Sequence, residues 1–195
     1  MLSTKTVKKG VLLGASSLVA GVVAGLQPGR NQLLSFLFHS VTGRNCGKNA
    51  SVLPALGLPS DSYRAIIDYL LESGYEFVSS KQIHSGLLGG GRYAHLTFDD
   101  GYYNNVNILP LLNEYDIPAD IFITTSNIQK SEKFWWDVVY TQLSRRGKNE
   151  REIAQKIACL KGVRHHEIYE HLKTSFGSNA FVPESDEDRP LTPPN

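Results

Sequence analysis

Two adjacent carboxylates, Asp99 and Asp100, close an apolar run in "HLTFDDGYYNN" (95–105), and Gly101 follows at once. Neighbouring acids repel, so a chain that keeps them together lets them share a proton or gives them a cation to bind. Hard and borderline divalent ions accept such oxygen ligands readily. Adjacent side chains of a regular strand point to opposite faces. A glycine just there lets the backbone leave strand geometry, so that both acids can turn toward one site. Asp100-Gly101 is also ordinary turn chemistry, so the surrounding elements must decide between a turn and a metal site.

A second candidate is His39, at the end of the apolar run "LLSFLFHSV" (33–41), where an imidazole can line the pocket and bind substrate or be held in the core by a hydrogen bond. His165, His166 and His171 lie in "RHHEIYEHL"; their spacing misses the i, i+4 pairing of two ligands on one helical face, and they read as an exposed polar helix. Phe134-Trp135-Trp136 is either a stacking platform for a sugar or an anchor for the helix it opens, and the anchor is favoured. Tyr102, directly after the acids, is placed to rim the site. Cys46 and Cys159 have no metal-type spacing and read as free thiols.

The elements that would position these residues alternate. From Asn31 onward, buried apolar runs at 33–41 and 119–125, and shorter ones at "YEFVS" and "YAHLTF", are separated by helical stretches. In "SDSYRAIIDYLLESG" the apolar residues Tyr63, Ile66, Ile67, Leu70 and Leu71 recur at helical spacing, between an N-cap serine and Gly74. "SKQIHSGLL" is a short helix, stopped by Gly89-Gly90-Gly91. "NNVNILPLLNEYD" is a helix only if Pro110 sits in its first turn or kinks it. Strand–helix–strand alternation with strands buried on both faces predicts an α/β protein with a parallel sheet or barrel, and ligands gather at the carboxyl ends of such strands. After Asn127 the pattern changes to three helices with no strand between them, then to an acidic and proline-rich tail. The predicted organisation is an N-terminal apolar segment (1–30), an α/β half-barrel (31–128), a helical insertion (129–178) and an irregular tail (179–195).

Bulk composition narrows the partners. The 195 residues are 41% hydrophobic and 20% charged with a net charge of +1, as in ordinary globular proteins. No basic stripe points to nucleic acid, so a neutral or weakly charged ligand is expected. Residues 11–26 are apolar or small, preceded by lysines and followed by Pro28-Gly29. That run is shorter than the ~20 residues of a membrane-spanning helix. It reads as a signal-peptide core, a membrane-surface anchor or a packed helix. The first two imply a secreted or membrane-associated protein, the third a cytoplasmic one.

"LTFDDG" resembles the first motif of the NodB-homology polysaccharide deacetylases, metal-dependent carbohydrate esterases on a distorted (β/α) barrel. The likeness continues through "FLFHSV", "YRAIIDYLLESGYEFVSSKQI" and "NNVNILPLLNEYDIPADIFITTSNI", while "FWWDVVY" is similar to the opening of a helical insertion in one branch of that family. The resemblance covers residues 31–140 well and the rest loosely. It implies Asp99 as general base and Asp100 as ligand of a divalent ion, Zn²⁺ by preference. It also implies hydrolysis of the carbon–nitrogen bond of N-acetyl sugars in a glycan. The metal would lower the pKa of its water and stabilise the oxyanion, and a separate carboxylate would take the proton. The family's second motif, with two histidines, and its later arginine, aspartate and histidine motifs have no counterpart here. The expectation is a truncated or split member that is inactive, binds glycan without hydrolysis, or is completed by a second chain. A half-barrel would also carry an open edge and exposed apolar strand faces.

Overall fold

The computed structural model describes residues 32–43 and 51–192. The apolar segment 11–26 and Cys46 lie outside the described residues. Within them no helix is long and apolar enough to cross a membrane.

The sheet is built around one strand. β5 (Arg92–Phe98) pairs in parallel with all seven residues of β1 (Gln32–Phe38), from Gln32↔Arg92 to Phe38↔Phe98. Its other edge is shared end to end by two shorter partners: β4 (Glu76–Phe77) pairs with Tyr93 and Ala94, and β6 (Ala119–Ile121) with Leu96 to Phe98. β2 (Ser40–Thr42) and β3 (Gly57–Pro59) make a separate parallel pair beyond the end of β1. The α/β class with a parallel sheet is as the sequence predicts.

One face of the sheet is covered. α1 (Ser60–Glu72) lays Tyr63, Ile66, Ile67 and Leu70 against Ala94, Leu96 and Phe98, and α3 (Leu109–Glu114) adds Leu111 and Leu112. Burial at helical spacing drives this packing. α1 begins at Ser60 behind Pro59 and has no side-chain cap, so the expected N-cap serine is already the first helical residue. α2 (Ser80–Ser85) does carry a capping box, between Ser79 and Gln82. Pro110 falls in the first turn of α3, after a 3-10 turn at Tyr103–Ile108, which is where a proline costs the helix nothing.

Two burial expectations are corrected. β1 is buried on one face only: Leu34, Phe36 and Phe38 pack inward, while Leu33 and Leu37 are exposed, Leu37 by 59%. The run 119–125 is a strand only over 119–121; Phe122 is 56% exposed and Ile123 54%, and Thr125 already starts a helix. The physical reason is common to both. Among the described residues β1 and β6 each pair with β5 alone, so each has one unpaired edge. On the face opposite the core a polar bridge crosses three strands: His95 lies 3.2 Å from the Ser35 hydroxyl and 2.7 Å from Asp120, and this contact holds the Asp120 carboxyl below its usual range.

The helical part begins earlier than expected, with α4 (Thr125–Lys130), and continues as α5 (Trp135–Arg145), α6 (Glu150–Leu160) and α7 (His165–Phe176). These enclose a core of their own that includes Val138, Val139, Ile157, Leu172 and Phe181. The segment after the 3-10 turn at Ser178–Phe181 is tied down by charge. Lys133 and Asp188, both fully buried, pair at 2.7 Å, and Glu184 joins Lys133 at 2.9 Å. Residues 189–191 then return along the turn that follows β5.

Candidate metal and glycan site

The acidic turn lies at the carboxyl end of the central strand. The Asp99 N–H still donates to the Phe38 carbonyl at 2.8 Å, which continues the β1–β5 ladder by one residue. The chain leaves the sheet at Asp100, in the left-handed region at φ +70, and Gly101 follows at φ +72. The break therefore starts one residue earlier than the glycine suggests, on a side-chain-bearing residue. That conformation costs about 1–2 kcal/mol and is held only because its surroundings impose it. Gly101 is needed for space as well: a Cβ there would lie 3.0 Å from Ile123 Cγ2. Its carbonyl accepts from the Leu191 N–H at 2.7 Å, and the Tyr103 N–H donates to the Arg189 carbonyl at 2.9 Å, so the tail straps the turn on both sides.

The bend brings Asp100 opposite His39, Oδ2 to Nε2 at 3.9 Å, with both side chains about a quarter exposed. Burial raises the Asp100 pKa; the His39 charge pulls it down and the Asp99 charge pushes it up. A carboxyl in that state gains from a nearby cation.

Asp100 and His39 lie at one end of a cleft of about 490 Å³. Leu53 and Leu56 of the 51–56 loop form one wall, Trp135 and Trp136 another. The helical part closes the far side with Ile157, Lys161, Val163, His165 and Ile168. Asp99 does not line this cleft, so the two acids, though adjacent, have different surroundings.

Tyr102 lies within the wall. Its ring is fully buried, its hydroxyl donates to Asp137 Oδ2 at 2.6 Å and accepts from the Trp136 indole N–H at 2.7 Å. The whole residue is buried, so Tyr102 presents no surface with which to rim the cleft. Phe134 and Trp135 are buried anchors, as favoured from the sequence, while half-buried Trp136 stacks on Phe134 at 5.2 Å and reaches the cleft. His165, His166 and His171 are exposed, but His165 also turns to the cleft. The sequence reading weighed Trp136 as part of a stacking platform but favoured an anchor, and it missed Lys161 and His165 as lining residues and Asp137 as a buried partner. The charges inside "KFWWD" were the available signal, since Lys and Asp rarely enter an aromatic cluster unpaired.

A catalytic zinc site uses three protein ligands. Among the described residues no three His, Cys, Asp or Glu side chains converge in that way. His39 and Asp100 suit two of the positions, and the described residues do not supply the remainder.

A parallel α/β protein with an acid–imidazole pair at the ends of its strands is the class that fold and site define. A family model for polysaccharide deacetylase matches residues 89–161, from the glycine run through α6. Over that segment the chain is similar to the polysaccharide deacetylases. Among solved structures it is similar to a de-N-acetylase from Aggregatibacter actinomycetemcomitans, at 22% identity and a TM-score of 0.44, over 59% of this chain and 51% of that one. IcaB from Ammonifex degensii gives 18% and 0.41 over 60% and 50%. The Streptococcus pyogenes deacetylase PplD, in complex with acetate, gives 17% and 0.39 over 60% and 54%. The chain thus spans about half the length of these structures. No curated protein matches it.

Proposed function

We propose that this chain carries the first part of a metal-dependent carbohydrate deacetylase site, for hydrolysis of the N-acetyl groups of a glycan. The observation that supports this most is the His39–Asp100 pair at the strand ends, facing a 490 Å³ cleft, with Asp100 inside the segment that matches the deacetylase family model. Asp100 and His39 are the residues that would hold a divalent ion, Zn²⁺ by preference. Such an ion, when bound, lowers the pKa of a water and stabilises an oxyanion. Asp99 is the residue that the resemblance makes the general base, which would accept the proton of the attacking water. Trp136 offers an aromatic face to the sugar. The missing donors would come from residues outside those described or from a second chain.

The donor shortfall favours a second reading, in which the cleft binds glycan without hydrolysing it. Two measurements separate them. Zn²⁺ titration by calorimetry should show binding that Asp100→Ala removes, and the zinc-loaded chain should release acetate from N-acetylglucosamine oligomers. No zinc binding above the Asp100→Ala background would sink the first reading. Oligomer binding without acetate release would establish the second.

A further inference from the structure

Asp137 is a fully buried carboxylate that the proposed chemistry does not use. Its Oδ1 accepts from the Leu53 N–H at 2.7 Å and its Oδ2 from the Tyr102 hydroxyl at 2.6 Å. The same hydroxyl accepts from the Trp136 indole at 2.7 Å. Leu53 and Trp136 both line the cleft, and Tyr102 is the second residue after Asp100. Three walls that are far apart in sequence, the 51–56 loop, the acidic turn and the start of α5, therefore meet at one side chain. Each of these buried hydrogen bonds is hard to replace because its partner would be left unpaired.

We infer that Asp137 is a positioning residue of the candidate site: through Tyr102 it fixes the turn that carries Asp99 and Asp100, and through the Leu53 amide it fixes the wall opposite. The turn places two successive residues at positive φ, and Asp100 bears a side chain there, so restraint from outside adds to what Asp-Gly turn chemistry supplies. The tail strap holds the turn by its backbone at Gly101 and Tyr103. Asp137 holds it by a side chain, on the inner side. The residue draws its importance from the deacetylase reading, but its two arms can be measured without metal or glycan, so either idea can fail alone.

The two arms respond differently to substitution. In Asp137→Asn the amide oxygen can still accept from Leu53, while the NH₂ faces a Tyr102 oxygen that already receives the Trp136 indole. Tyr102→Phe removes the turn arm and, with it, the acceptor of the Trp136 indole, and leaves the Leu53 bond intact. Amide hydrogen exchange on the full chain, in the two single variants and their double, reads this directly. Loss of one such bond is expected to speed exchange at Tyr103 and Leu191 about tenfold. The Leu53 amide and the α1 amides of 63–70 should keep wild-type rates, and the double variant should exchange no faster than either single one, because both remove the same bond. The ¹⁵N-resolved indole resonance of Trp136 should shift in both singles while that of Trp135 stays. Asp137→Ala, if it folds, should add the Leu53 amide to the fast set. Uniform acceleration across all segments, or wild-type rates at Tyr103 and Leu191 in Tyr102→Phe, would overturn the inference.

Discussion

The strand half and the helical half of the described chain solve the problem of burial in different ways. Residues 125–191 close around their own apolar cluster and pin their ends with a buried Lys133–Asp188 pair. Residues 32–124 cover one face of a sheet and leave Leu33 and Leu37 of β1 exposed on the other. The halves meet at a small joint of Val52, Tyr102 and Phe134, packed against Trp136, beside the candidate site. The chemistry thus lies where the self-contained half props the open one, and where ordinary packing gives least support.

The largest effect should come from the buried ion pair. Asp188→Ala leaves a fully buried ammonium with only Glu184 beside it, and chemical denaturation should register a loss of about 3–5 kcal/mol. A loss under about 1 kcal/mol would mean that the tail does not anchor the helical half.

Paired core substitutions sharpen the contrast between halves. Leu172→Ala, at a fully buried position, should cost about 2–5 kcal/mol. Leu37→Ser, on the open face, should stay within about 0.5 kcal/mol and raise solubility. A large cost for Leu37→Ser would show that its face is covered in solution.

The joint should be sensitive to pH. Burial pushes the Asp137 carboxyl up to about 7, against relief from the Tyr102 and Leu53 hydrogen bonds, with Asp188 raising it further and Lys133 lowering it. A raised carboxyl pKa means that the folded chain holds a proton more tightly than the unfolded one. Its contribution is therefore greatest below the unfolded value of about 4 and declines as pH rises to about 7. Glu184, Glu152 and Asp120, all held low, act in the opposite sense, and their contribution is lost as pH falls through their folded values. Asp137→Asn should remove a decline of a few kcal/mol at most between about pH 4 and 7. An unchanged stability profile would place the Asp137 carboxyl in the ordinary range.

The smallest effect bears on the site itself. Asp100→Gly should stabilise the chain by up to about 1 kcal/mol in denaturant, because it relieves the left-handed turn, while it removes the proposed ligand. A loss of stability would mean that the Asp100 side chain is held by favourable contacts rather than tolerated.

Much of this was legible in the sequence. Apolar spacing marked α1 and the three long helices, and Pro110 placed its own helix. The acids at a strand end announced the site, and His39 was recognised as able to reach it. What failed was burial on both faces of β1 and β6, because continuous apolar runs do not say whether a neighbour is present. Also illegible were contacts that close over long separations. Nothing local in "DEDRPL" shows that Asp188 pairs with Lys133, or that Leu191 bonds to Gly101. The left-handed Asp100 was hidden behind the glycine next to it, which took the credit for the bend.

The strap from Arg189 to Leu191 also sets an order of events during synthesis. The acidic turn and its strand emerge early, yet two of the backbone bonds that hold the turn need a segment made about ninety residues later. At ordinary translation rates that is a delay on the order of ten seconds. Through that interval the nascent chain exposes the acid pair without its clasp, so any cofactor captured during translation would meet an unfinished grip.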